Sequence, residues 1–395
     1  MRITVTSPTL AGLAAAARLA KLGHDVTLTT GGRPLGGRFA PHPGPDGELV
    51  DALPQTYLLP APWRDLFRKS GRAFDAELGR AGLDLVDAPA ATHRFADGLE
   101  FALPAERGQQ FATLSHHLGR SAAERWRDLL DDLDDTWLAL RRHGVESPTP
   151  IATASKDERT RLLQRHTLAN LADRLTEPHL AAIVLSQGWR AGTDSHRAPA
   201  LCASRLVVER TFGRWQLRDD TGPVRASRLI DLLVDRLATR RVRVVEYAPD
   251  EPDARVHTEP HLQPARWPRR SPRPALAPRT THTLTDASGA DVTELVDHAA
   301  RTVTWQRPLP GGGAMASTHD FSAPTPDLAW GLAPDDWTAW MRRTPITGDG
   351  SWRASACSPA GNEPWAELAS AALAVYETHE HLTGEDARPT NKARR

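Results

Sequence analysis

The residues best placed for chemistry lie in the first 38 positions: Ser7, Thr9 and Gly12, then Thr30, then the run Gly36-Gly37-Arg38. In Ser7-Pro8-Thr9-Leu10-Ala11-Gly12 they stand at the spacing of the Gly-x-Gly-x-x-Gly turn that offers a helix N-terminus to a pyrophosphate. That turn uses its first glycine for the tight bend, its second for close approach of backbone to phosphate, and its third for packing helix on strand. Only the third is glycine here. Ser7 and Thr9 put side chains where phosphate oxygens would sit and Pro8 removes a backbone donor, although the two hydroxyls can themselves donate. Thr30 ends the second strand-like run, at the place of the carboxylate that binds an adenosine ribose. A hydrogen bond to a charged group is worth about 1.5–3 kcal/mol, so this replacement alone weakens dinucleotide binding about tenfold or more.

Other chemically capable groups are scattered. Ser186-Gln187-Gly188-Trp189-Arg190, with His196 and Arg197, reads as a loop that either faces a substrate or only connects two helices. His379-Glu380-His381 has the composition of a metal site, but residues two apart on a helix point about 200° apart, so exposed polar positions are expected instead. His116-His117 fails in the same way. Cys202 and Cys357 have no second ligand beside them, so a zinc site is not expected, and a disulfide between them stays open. Trp330, Trp337 and Trp340 read as packing residues. No acid–base pair stands out, so no catalytic residue is assigned and no metal is expected.

The elements that must carry these groups are legible. Ile3-Thr4-Val5-Thr6, an Ala/Leu-rich run closed by Gly23, and Val26-Thr27-Leu28-Thr29 have the form of a βαβ unit. A helix beginning at Pro60 follows, then a hairpin over 93–104 around Asp97-Gly98. From 111 to about 185 the spacing predicts a helical block, with Leu129, Leu130, Leu133, Trp137 and Leu140 on one stripe and a break at Ser147-Pro148-Thr149-Pro150. An amphipathic helix over 226–239 leads into the strand Val242-Arg243-Val244-Val245. The Pro/Arg-rich stretch 250–278 reads as an exposed loop, and a helix from Pro364 to about Leu382 closes the chain before Gly384.

Composition narrows the partners. Lys+Arg and Asp+Glu both number 49, so no basic surplus points to nucleic acid. The apolar run after Leu10 is broken by Arg18 and lies between two strands, which favours a buried crossover helix over a secretory signal. No stretch reaches the ~18 apolar residues of a membrane span, so a cytoplasmic protein acting on a small molecule is expected.

Laid out in order, these pieces resemble the flavin-dependent amine oxidase and phytoene desaturase superfamily. The βαβ unit, Gly36-Gly37-Arg38, Val50-Asp51-Ala52-Leu53-Pro54 followed by the Trp63 helix, the helix and strand 227–245, and Ser358-Pro359-Ala360-Gly361-Asn362-Glu363-Pro364-Trp365 carry the resemblance. It implies a Rossmann-like α/β fold with an α+β substrate domain, a discontinuous nucleotide domain over 1–70, 216–285 and 326–395, and a substrate domain over 71–215 and 286–325. It implies FAD, with contacts at Ser7, Thr9, Gly12, Thr30, Gly36, Gly37 and Arg38, an adenine contact near Val244, and a flavin contact at Ser355 and Ala356, where the family's Gly-Asp would fall. Gly348-Asp349 is an alternative for that last pair. Leu53 stands where the family usually carries glycine beside the isoalloxazine. The implied reaction is oxidation of a C–N or C–C bond by hydride transfer to the flavin. Because the departures strike phosphate, ribose and flavin positions together, a second expectation stands beside it: a flavin-free relative that binds or scaffolds, with a protein partner or as a homodimer.

Overall fold

A computed structural model describes residues 1–147, 153–248, 251–261, 272–335, 337, 346–348, 351–358 and 360–389. Asp349, Trp340, Pro359 and the prolines of the expected break at 148–150 lie outside them.

The opening strand Arg2–Val5 lies at the centre of a six-stranded sheet, paired in parallel with Asp25–Thr29 on one side and Ala254–His257 on the other. Arg243–Val245 extends one edge in parallel, Ser351–Arg353 the other, and Ile346–Gly348 closes that edge antiparallel. Numbered along the chain, the five parallel strands have the order 3-2-1-4-5, the doubly wound arrangement in which ligands meet the sheet at the C-terminal ends of its strands. The fold is therefore the Rossmann-like α/β class that the sequence predicts. The expected exposed loop over 250–278 is corrected in part: Ala254–His257 is an interior strand with Ala254 and Val256 buried, and Pro274–Thr285 begins a second sheet. Proline and charge in the flanks of these strands masked their alternation.

The Leu10–Lys21 helix explains why the sequence there is so rich in alanine. Every residue from Leu10 to Leu19 is buried, with the sheet on one side and the helices Ala61–Ser70, Arg228–Thr239 and Pro364–Thr383 around it. Alanines let backbones approach closely on several faces at once. Its one buried charge, Arg18, pairs with Asp65 at 2.7 Å. The closing helix is equally apolar, and the expected exposed His379 is buried instead, its ring 2.9 Å from His24. The two rings satisfy each other, which a count of helix faces could not foresee.

A second six-stranded sheet runs Pro274–Thr285, Ala314–Leu332, Thr302–Pro308, Thr293–Asp297, Ala91–Arg94, Glu100–Leu103. All neighbours are antiparallel except Thr293–Asp297 with Ala91–Arg94. The helices Arg107–Leu118, Arg120–Leu140, Pro178–Arg190 and Ser204–Phe212 bury Trp126, Leu130, Leu133, Ile183 and Val207 in a core of their own. No described helix is long and apolar enough to cross a membrane, and Cys202 and Cys357 form no disulfide.

Candidate functional site

The first candidate site lies where the opening strand turns into its helix. Thr9 is the N-cap: its hydroxyl accepts the Gly12 N–H at 3.1 Å and donates to the Thr258 carbonyl at 3.0 Å. The Thr258 hydroxyl donates in turn to the Ser7 carbonyl at 2.8 Å. A Cβ on Gly12 would fall 1.9 Å from the Ser7 carbonyl oxygen, so no other residue fits that crossing of helix and strand. Ser7 is fully buried, and its hydroxyl has no partner among the described residues. Gly36 and Gly37 adopt φ of +103° and +59°, which favours glycine at both. Gly36 donates to the Pro8 carbonyl at 2.7 Å and forms an isolated parallel bridge with Thr9, so the two walls of the expected phosphate cradle meet directly.

Arg38 reaches across this junction. Its side chain is only 10% exposed, and Nη2 donates to Glu367 at 2.7 Å and to the Asn362 carbonyl at 2.6 Å. The guanidinium carbon lies 4.1 Å from the Phe39 ring centroid and 4.7 Å from that of Trp330. Trp330 is therefore more than packing, the role expected from sequence. Arg38 Nε and Nη1 are buried without a partner among the described residues. Glu367 is itself buried, on the Pro364–Thr383 helix that packs against the Leu10–Lys21 helix. Burial raises its pKa, opposed by the Arg38 charge and the hydrogen bond Arg38 donates. The arginine of the Gly36-Gly37-Arg38 run is thus paired with a carboxylate from the chain itself. Sequence reasoning passed over Glu367, although one signal was present: it is the sole charge between Glu363 and Glu377.

The other predicted contacts are used internally. The Thr30 amide donates to the Val245 carbonyl at 2.8 Å, and its hydroxyl accepts the Gly32 N–H at 3.3 Å. Val244 lies on the neighbouring edge strand and is 43% exposed. Ser355 and Ala356 are buried; the Ser355 hydroxyl accepts the Cys357 N–H, and the Ala356 carbonyl lies 2.5 Å from where a Cβ on Gly331 would stand. Leu53 is buried, its N–H bonded to Asp51.

Beyond Arg38 opens a cleft lined by Phe39, Arg190, Trp305, His319, Phe321 and Trp330. Ser186–Arg190, expected in a loop, forms the last turns of the Pro178–Arg190 helix, and of the expected group only Arg190 reaches this cleft. Arg190 ends an alternating chain of charges, buried at Arg214 and Glu294 and half-buried elsewhere: Glu363 with Arg205 at 2.8 Å, Arg205 with Glu209 at 3.4 Å, Glu209 with Arg214 at 2.6 Å, Arg214 with Glu294, and Glu294 with Arg190 at 3.2 Å. Trp305 Nε1 and the Thr56 hydroxyl also donate to Glu294, at 2.7 and 3.0 Å. Burial opposes the charge on Glu294, but Arg214, Arg190 and Arg205 hold its pKa far below the usual range. His319, buried and close to His282, Arg190 and Arg38, is lowered to about 3 and is a neutral imidazole at physiological pH. The cleft therefore offers aromatic faces and N–H donors, with every carboxylate in the charge chain neutralised.

Residues 10–244, more than half of the chain, match the sequence profile of the flavin containing amine oxidoreductases. The chain belongs to that family. It is also similar to the 4,4'-diapophytoene desaturase (4,4'-diaponeurosporene-forming) of Staphylococcus haemolyticus (strain JCSC1435), 36% identical over 95 residues, a match spanning 24% of this chain and 17% of the desaturase. Among solved structures, putrescine oxidase bound to putrescine shares the fold at TM-score 0.62 and 12% identity, over 97% of this chain and 99% of that one. Cyclohexylamine oxidase from Brevibacterium oxydans IH-35A does so at 0.62 and 13%, over 96% and 99%. A Rab GDI from Plasmodium falciparum does so at 0.53 and 9%, over 98% of each chain.

The cofactor of flavin amine oxidoreductases tests the site. Gly12, Gly36, Gly37 and the free N–H groups of Arg38 suit a diphosphate, but Arg38 already holds the Glu367 carboxylate. Pro8 is bonded to Gly36 across the cradle, and Thr30 supplies no ribose carboxylate. A second anion beside a buried carboxylate is strongly unfavourable. The residues as arranged do not fit the dinucleotide.

Proposed function

We propose that this chain works as a flavin-independent member of the flavin amine oxidoreductase family, a binding protein that takes a small molecule in the aromatic cleft between Arg38 and Arg190. One observation carries the reading: the buried Glu367 carboxylate takes Arg38 at 2.7 Å, the charge a cofactor phosphate needs. The cleft supports a ligand with a flat apolar body and hydrogen-bond acceptors, since Trp305, Phe321 and Trp330 supply faces and the buried Nε of Arg38 and of Arg190 lack acceptors among the described residues. A protein that shares this fold without being named as an oxidase, the Rab GDI, supports separating fold from chemistry. Purified protein is expected to be colourless and to take up no added FAD in titration calorimetry; a flavin absorption band that survives dialysis overturns the reading.

A second reading is oxidation of a C–N or C–C bond by a bound flavin, as the family implies. The unpartnered donors Arg38 Nε, Arg38 Nη1 and Ser7 Oγ favour it, because they belong to the residues that the family resemblance assigns to the cofactor. The same titration separates the two.

A further inference from the structure

We infer that a second cavity, between the Pro178–Arg190 and Ser204–Phe212 helices and the segment 360–365, binds an uncharged carboxamide on an apolar body. Gln187 receives its N–H and Trp365 donates to its carbonyl oxygen. The inference rests on the small-molecule binding reading and deepens it by naming the ligand's polar group.

The cavity spans about 500 Å³, and Leu140, Leu201 and Val208, all buried, form its apolar wall. Arg190, Arg205, Asn362 and Glu363 line both it and the aromatic cleft, so the two spaces meet at those residues. Two polar atoms of lining residues have no partner among the described residues: Gln187 Oε1 and Trp365 Nε1. Gln187 is 3% exposed and Trp365 6%, so bulk water serves neither atom. The Gln187 amide has one orientation, because Nε2 donates to the Ile183 carbonyl and to the Ser186 hydroxyl, both at 3.0 Å. Turning the amide over would set Oε1 against the Ile183 carbonyl oxygen, so the free atom is the acceptor. The indole N–H is a donor only. The lining thus presents one free acceptor and one free donor, and a buried polar atom without a partner is unfavourable. A carboxamide answers both, with N–H and carbonyl oxygen on one small planar group.

The charges around the cavity disfavour an ion. Arg190, Arg205 and Arg214 are matched by Glu209, Glu294 and Glu363 through their chain of pairs. An ammonium finds the uncharged Gln187 acceptor but no unpaired carboxylate among these residues, and a carboxylate finds its arginines already paired. Burying either ion without a counter-charge is costly.

The test uses the full chain and three probes on one naphthalene body: 2-naphthamide, 2-naphthoate and 2-naphthylmethylammonium. Calorimetry is expected to give the carboxamide an affinity at least about tenfold above either ion. Trp365→Phe keeps an aromatic ring beside Trp137, 5.8 Å away between centroids, and removes the N–H. The ratio of 2-naphthamide to 2-methylnaphthalene affinity should then fall about fivefold, the worth of one neutral hydrogen bond. Gln187→Met keeps the side-chain length, removes the acceptor and should lower the same ratio, so either variant serves where the other fails to fold. Equal affinity for the three probes, or an unchanged ratio in the folded variants, overturns the inference and leaves the flavin-independent reading intact. That reading fails separately, by uptake of FAD.

Discussion

Arg38 shows how a residue kept from a family motif can change its partner. The run Gly36-Gly37-Arg38 was legible in the sequence, and so was the loss at Ser7, Thr9 and Thr30. Glu367 was not, because a carboxylate that replaces a ligand lies 329 positions from the arginine it neutralises, and no local spacing records that contact. The same holds for Glu294, which joins Arg214, Arg190, Trp305 and Thr56 from separate elements. Glu294→Gln removes the counter-ion of Arg190 and leaves Arg214 with Glu209 alone, and denaturant unfolding is expected to show a loss of about 3–5 kcal/mol. Gly12 is a steric rather than a chemical requirement. Gly12→Ala drives a methyl into the Ser7 carbonyl and should cost roughly 1–3 kcal/mol or prevent folding, read by circular dichroism on heating.

At the scale of elements, the strands and helices with clean periodicity were legible: the βαβ unit, the hairpin around Asp97-Gly98, the Arg120–Leu140 helix and the closing helix all stand where the spacing puts them. Ala254–His257 was missed because an interior strand of four residues, set among charges and prolines, has too short a period to read. The Pro178–Arg190 helix was cut short in the reading because Gly188 looks like a loop residue, whereas its missing side chain admits Ser195, whose Cα would lie 2.6 Å from a Cβ there. This helix is tied to the hairpin by His179, which contacts Asp97 at 2.8 Å and the capping Glu177 at 2.6 Å. Burial lowers the His179 pKa, but the two carboxylates outweigh it and the net shift is upward. A raised histidine pKa stabilises the fold below the unfolded value of about 6.5, and that contribution is lost as pH rises through the folded value. His179→Gln should flatten the stability profile above neutral pH, measured as Tm against pH.

For the whole molecule, we propose the discontinuous division inferred from the sequence, with a nucleotide domain over 1–70, 216–285 and 326–395. One large buried cluster surrounds the Leu10–Lys21 helix and the other the Trp126 helices, while Pro274–Thr285, within the proposed nucleotide segments, pairs in the second sheet. Four histidines, three buried and His298 half-buried, give the molecule a shared acid sensitivity. Burial lowers His24 to about 4, His93 and His319 to about 3 and His298 to about 2, with neighbouring histidines or arginines adding to each shift. An unfolded chain takes up these protons near pH 6.5 and the folded chain does not, so stability should fall steadily as pH drops from about 6.5 towards 4. An acid-stable fold across that window would contradict the buried placement of these rings.

The account turns on Arg38 being held by the chain's own carboxylate rather than by a cofactor. Titration of FAD into purified wild-type protein, followed by visible absorption and calorimetry, tests that most directly. A colourless protein that takes up no FAD is the predicted result; tightly held flavin, present on purification or acquired in the titration, would contradict it.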